Sequence, residues 1–175
     1  MNVNRATFAE INLESFRHNL RSIKSFIGPA VQTMAIIKAD AYGHGAIQCA
    51  RAAIKENVEY IGVGIIQEGI ELRESGVTSP ILILGGIYPN EIEDLIKYNL
   101  STSLSNAVIA NAISKQAANT NKSVSVHIKI DTGMGRLGVQ PASFQNLLSD
   151  VIACKNLKIE GFFTHLSSAD EEDPD

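Results

Sequence analysis

A chain of 175 residues, 45% of them apolar, is long enough for one globular domain with a sizeable core. Its net charge of -4 misleads, because Asp170, Glu171, Glu172, Asp173 and Asp175 crowd the last six positions; without these five, the 19 acids fall to 14, against 15 bases. Such a nearly neutral body excludes a basic stripe for nucleic acid and a cationic helix for a membrane surface, and favours small-molecule chemistry.

In chain order, Met1 to Arg5 lack the apolar core of a signal peptide, and no later apolar run approaches the ~20 residues of a membrane span, so a cytoplasmic protein is expected. Thr7 to Leu13 alternates weakly and predicts a short strand. A helix from Glu14 to Phe26 follows, with Phe16, Leu20, Ile23 and Ile27 at helical spacing and Gly28-Pro29 as its stop. A βα rhythm then begins, with strands predicted at Val31 to Lys38, Val58 to Gly64, Pro80 to Gly85, Leu100 to Leu104, Val124 to Ile130 and Leu157 to Phe163. Between them lie amphipathic stretches such as Glu91 to Tyr98, with Ile92, Leu95 and Ile96 on one face. Each connection is long enough for a crossover helix, so the strands should be parallel. Cys49 and Cys154 lie far apart in helical patterns, as buried free thiols rather than a metal or redox pair.

Six βα units fit either a doubly wound sheet or most of a (β/α)8 TIM-type barrel. The unusual residues favour the barrel, because they fall at strand ends that converge on one rim. Lys38 ends the first strand, Gly85-Gly86 follow the third, Asp131 to Arg136 follow the fifth, and Thr164-His165 end the sixth. A complete barrel takes about 250 residues, so residues 1-175 are expected to be a partial barrel domain, with strand edges that aggregate unless the remaining sequence is supplied.

Lys38 follows an apolar, β-branched run and precedes Ala39-Asp40-Ala41-Tyr42-Gly43-His44-Gly45. A lysine desolvated at such a strand end loses affinity for its proton, and its neutral amine can attack a carbonyl. The competing reading is a strand-end lysine reaching into solvent. Along the fifth strand, period-2 alternation places His127, Lys129 and Asp131 on one face and Val126, Ile128 and Ile130 on the other, which points Lys129 into the barrel. There it is either paired with Asp131 or neutral enough to take up carbon dioxide as a carbamate. Arg136 lies among Gly133, Gly135 and Gly138, where backbone can approach a ligand, and its guanidinium fork suits a carboxylate. The Asp131-Thr132-Gly133 triplet sits inside a βα series, which excludes an aspartic-protease reading.

Two strings carry a resemblance. Lys38-Ala39-Asp40-Ala41-Tyr42-Gly43-His44-Gly45 resembles the cofactor-lysine signature of the alanine racemase family, and Asp131-Thr132-Gly133-Met134-Gly135-Arg136-Leu137-Gly138 resembles its second long signature. The resemblance runs from about Thr7 to the end of the chain. It implies a pyridoxal-phosphate enzyme whose barrel is followed by a β-rich domain that completes the active site of a partner subunit in a homodimer, a domain absent from this chain. The small-molecule substrate would be L- or D-alanine, for cell-wall synthesis. By the same resemblance Lys38 holds the cofactor and moves a proton on one face of Cα, while Tyr42 contacts the phosphate. Arg136 contacts the cofactor's phenolic oxygen and the substrate carboxylate, and His165 lies against the cofactor ring. Lys129 matches a lysine that is carbamylated in some members and orients the arginine, and Leu84, at the rim, would touch the cofactor. No metal is implied. The family's second base, a tyrosine of the partner's second domain, has no match here. The other readings are a non-catalytic pyridoxal-phosphate carrier of related barrel fold, and a racemase for serine or lysine. Without cofactor, the sequence leaves Tyr42 packing its turn, His165 structural and Arg136 solvated as ordinary alternatives.

Overall fold

In the computed structural model, which describes residues 7–172, a helix α1 (Leu13–Ile27) leads into β1 (Met34–Ile36), and a parallel six-stranded sheet follows. The further strands are β2 (Tyr60–Val63), β3 (Ile81–Ile83), β4 (Ser101–Leu104), β5 (Val124–Lys129) and β6 (Leu157–Phe163). Their spatial order is β1-β2-β3-β4-β5-β6, so each strand lies beside its sequence neighbours. A doubly wound sheet changes direction at a switch point and sets non-consecutive strands side by side. This sheet does not, which decides for the barrel arrangement.

Between β1 and β2 lie a single turn, α2 (Lys38–Gly43), and a helix, α3 (Ala46–Lys55). The crossovers continue with α4 (Ile66–Glu74), α5 (Ile92–Lys97), α6 (Ala107–Asn119) and α7 (Phe144–Ala153). Strand residues Ile61, Ile81, Ile83 and Ile128 and helix residues Leu72 and Ile113 have no more than 1% of their surface exposed. One face of each strand thus packs under the helices. Burying each such side chain contributes about 1.5–3 kcal/mol. Cys49 and Cys154 are buried and free, as expected. No helix among the described residues is long and apolar enough to cross a membrane.

Two expectations fail near the start. Residues 7–12 form no strand, and α1 begins at Leu13, inside the predicted one. A strand needs a neighbour for its backbone groups, and no described strand lies beside residues 7–12. The Asn12 side chain instead accepts from Ser15 N at 2.9 Å and starts the helix. β1 has three residues rather than eight. At its start, Val31 is half-exposed and the Thr33 N–H is taken by the Glu59 side chain; at its end, the chain leaves the ladder after Ile37. The predicted β6 is observed from Leu157 to Phe163, the predicted bounds.

Glu59 anchors the entry to β1: its Oε2 accepts from Thr33 N and Oγ1, both at 2.8 Å, and Lys24 Nζ lies 3.3 Å from Oε1. The Thr33 N–H is the main cause that holds its carboxyl at about 2, against an ordinary 4.5. A depressed folded-state value gives stability that is complete above pH 4.5 and is lost as pH falls toward 2. Glu59→Gln should therefore flatten the acid limb of the stability curve over that window in denaturant titrations; an unaltered limb would refute this role.

Candidate active site

Ile37 makes the last ladder bond of β1, its N–H donating to Gly62 O at 2.8 Å. The chain then coils the wrong way. Ala39, Asp40, Ala41 and Tyr42 all have φ of 52–54° and ψ of 39–52°, so α2 is a left-handed turn whose first four left-handed residues all carry a Cβ. Left-handed backbone costs about 1–2 kcal/mol per residue with a Cβ. Asp40 closes the turn, with its Oδ1 accepting from Ala46 N at 2.6 Å and its carbonyl from Gly45 N at 3.0 Å. Glu68, in the first turn of α4, fastens it to β2. Its Oε1 accepts from Ala39 N at 2.6 Å, and its Oε2 from Gly64 N at 2.7 Å and Ile65 N at 3.3 Å. Charge-assisted bonds of this kind contribute about 1.5–3 kcal/mol each, the same order as the strain.

Lys38 opens the turn. Its stem lies against bare backbone, since a Cβ on Gly64 would sit 3.5 Å from Lys38 Cβ and 3.9 Å from its Cδ. Lys38 Nζ is 5.8 Å from the centre of the Tyr42 ring, which is largely exposed. Just inside the rim, the positions a Gly62 Cβ would contact are Ile36 Cδ1 at 2.7 Å and Leu84 Cδ1 at 3.2 Å, which puts Leu84 among the inward-facing side chains.

The predicted alternation of β5 is present. Val126 and Ile128 are fully buried, while His127 and Lys129 are on the other face. Lys129 is only 7% exposed. Burial pushes its pKa down, the cations of Arg136 and Lys38 push it further, and Asp131 opposes them. The expected alternative of a direct Lys129–Asp131 ion pair is not formed. Asp131 is engaged elsewhere: its Oδ1 accepts from Gly133 N at 3.1 Å and Gly135 N at 3.0 Å, and its Oδ2 from Gln140 Nε2 at 3.4 Å. The N–H groups of Gly135 and Gly133 hold its carboxyl below the usual range. Backbone bonds from Asp131 N to Val139 O, 2.9 Å, and from Val139 N to Lys129 O, 2.8 Å, close the loop at its neck. Gly138 must be glycine there, because with φ of 137° its Cβ would lie 2.5 Å from Asp131 N.

Arg136 is exposed on this loop, and His165 is exposed beyond β6. Thr132 and Thr164 link the two segments through their hydroxyls at 2.7 Å. Lys38, Tyr42, Leu84, Lys129, Arg136 and His165 therefore all lie at the carboxyl ends of strands, as expected. Lys38 and Arg136 are each close enough to Lys129 for their charges to act on it, and no ion pair among the described residues neutralises any of the three. No hydrogen bond or ion pair joins His165 to the others. Deeper in the barrel, Tyr60 OH donates to Glu160 Oε2 at 3.4 Å, and His127 Nε2, 3.9 Å from that oxygen, has no hydrogen-bond partner. Burial lowers the His127 pKa, opposed by Glu160. A bulge opposite Val126/His127 sets Glu160 there.

Three features of this arrangement escape a reading of the sequence. Nothing in Ala39-Asp40-Ala41-Tyr42 announces left-handed backbone, since alanine does not favour it. Asp131 as the loop's acceptor is concealed by its place on the polar face of β5. Glu68 carries a faint signal, an acid three residues into a helix that follows a glycine.

A profile of the family described as alanine racemase, N-terminal domain, matches residues 11–175. The alanine racemase of Carboxydothermus hydrogenoformans is 43% identical over 169 residues, 97% of this chain and 45% of the relative. That of Halothermothrix orenii is 41% identical over 171 residues, 98% of this chain and 45% of the relative. Among solved structures, the alanine racemase of Clostridium difficile 630 superposes with a TM-score of 0.91 at 40% identity, over 97% of this chain and 45% of that one. The enzyme from E. faecalis gives 0.90 at 35% identity, over 99% and 47%. The chain thus spans a little under half the length of these relatives.

Asp131→Ala should free the Gly133 and Gly135 amides. Their hydrogen exchange should speed at least tenfold and proteases should cut within residues 132–138, with β5 still protected; unchanged exchange at both glycines would contradict the assigned role.

Proposed function

This chain belongs to the alanine racemase N-terminal domain family, and from that premise we propose that it is the cofactor-binding part of a pyridoxal-phosphate-dependent racemase interconverting L-alanine and D-alanine. The observation that carries the proposal is the un-neutralised cluster of Lys38, Lys129 and Arg136 at the strand-end rim, beside the Tyr42 phenol. Such a donor set fits a phosphorylated aldehyde and an amino-acid carboxylate, both anions.

In this reading Lys38 attaches the cofactor, Tyr42 donates to its phosphate, and Leu84 and His165 lie against its ring. Pyridoxal phosphate supplies an electron sink for the charge left when a proton leaves Cα. Lys38 would be the base for one face of Cα, its neutral amine taking the proton and the ammonium so formed returning it. Arg136 fixes the carboxylate and with it the direction in which Cα presents its hydrogen. Among the described residues none is assigned the role of the opposite base, which accords with a second domain of a partner subunit in a homodimer. A cytoplasmic enzyme supplying D-alanine for peptidoglycan fits this activity.

Lys129 is proposed to carry a carbamate, formed when its neutral amine adds to carbon dioxide and releases a proton. The resulting anion would stand beside Arg136 and relieve the repulsion between the two cations. Because the pKa of Lys129 lies below the ordinary 10.5, its neutral fraction, and so its capacity for carbamylation, extends to lower pH than that of a surface lysine. Intact mass measured without acid should exceed the sequence mass by one carbon dioxide and lose that excess in Lys129→Ala; an unmodified mass would sink this part.

The activity itself is tested on the full-length protein with L-alanine in deuterium oxide. D-alanine labelled at Cα is expected, with the rate falling at least about 10²-fold in Lys38→Ala. Cofactor binding without racemisation would contradict the enzyme reading and favour a carrier.

A further inference from the structure

The left-handed turn needs something outside itself to hold it. Among the described residues, Glu68 is the one side chain of another strand or helix that hydrogen-bonds α2, through Ala39 N at 2.6 Å. Its second oxygen takes Gly64 N at 2.7 Å and Ile65 N at 3.3 Å, at the end of β2. One carboxylate thus grips both the peptide just after Lys38 and the backbone on which the Lys38 stem rests. We propose that Glu68 is a positioning residue for Lys38, holding the left-handed turn against the end of β2 so that the lysine is aimed into the barrel mouth.

A carboxylate is the only side-chain group that offers acceptors on both oxygens to three N–H groups. A glutamine in its place would turn an NH2 toward one of those donors. An aspartate would fall one methylene short of Ala39. Releasing Ala39 N frees four residues to leave a conformation strained at each of them, and the first peptide to rotate is the one that carries Lys38. The carboxylate also sits at the first turn of α4, where the helix dipole favours an anion. Asp40 cannot substitute, because its bonds lie within the turn and its own exit to α3.

This inference rests on the reading of Lys38 as the cofactor-attachment lysine, and the test separates the two. The full-length protein, its Lys38→Ala variant, Glu68→Gln, Gly64→Ala and Glu59→Gln are each mixed with pyridoxal phosphate. The readouts are dissociation constant, rate of appearance of the lysine-bound visible band, the pH dependence of that band, and thermal stability. Wild type should develop the band and Lys38→Ala should not. Glu68→Gln should slow its appearance and weaken binding at least tenfold and shift its pH profile, in keeping with the cost of misplacing a reacting group. Gly64→Ala should act in the same direction with Glu68 itself retained, because its Cβ would crowd Glu68 Oε2 at 3.3 Å and Lys38 Cβ at 3.5 Å. Glu59→Gln, at the other end of β1, should lower stability above pH 4.5, where the ionised carboxylate contributes, and leave the band unchanged. A Glu68→Gln or Gly64→Ala protein with wild-type rate, affinity and pH profile would overturn the proposal. A band that survives in Lys38→Ala would overturn the attachment reading beneath it.

Discussion

Four consecutive residues with side chains are held at φ near 52° directly after Lys38, and this strain is sustained by a few hydrogen bonds from neighbouring elements. Left to itself the segment would relax into ordinary backbone, since every one of the four carries a Cβ. Backbone strain of this kind persists only where its surroundings over-determine it, and it concentrates at functional sites. Glu68 and Asp40 provide the restraint, and the ends of β1 and β2 provide the frame. The gain is direction. A lysine on a continuing strand would stand roughly perpendicular to the sheet, whereas Lys38 follows the last ladder bond and its stem lies against the bare backbone of Gly64.

The second constraint is electrostatic. β5 carries Lys129 inward to a position almost sealed from water, beside two other cations and without a carboxylate bonded to it. Asp131 might have balanced it had it not been drawn into the loop by the amides of Gly133 and Gly135. That arrangement leaves Lys129 without an ion-pair partner among the described residues. The loop's neck, closed by the Asp131 and Val139 backbone pairs, keeps Arg136 on the same side of the barrel as Lys38.

Much of this was legible in the sequence, for physical reasons. The order of six apolar runs and their helical spacers announced the parallel sheet, and the alternation of Val126, His127, Ile128 and Lys129 announced which face was polar. Period and burial are properties that a single chain displays. The bounds of β1 were not legible, because Val31 and Lys38 have strand-like neighbours in sequence but lose the ladder to tertiary bonds with Glu59 and Glu68. Thr7 to Leu13 misled for the same reason, since weak alternation without a neighbouring strand loses to a good helix cap at Asn12. The left-handed turn contradicts the local preference of its own residues, so it had no signature to find. The two long strings visible from the start carried the resemblance, and the family profile over residues 11–175 bears it out.

The proposed role of this turn makes Lys38, and no other lysine of the rim, the point of cofactor attachment. Borohydride reduction of the full-length protein with pyridoxal phosphate, followed by peptide mapping, tests it most directly. A single reduced adduct on the peptide containing Lys38 is the predicted result. An adduct on Lys129 instead, or no adduct on any lysine, would contradict it.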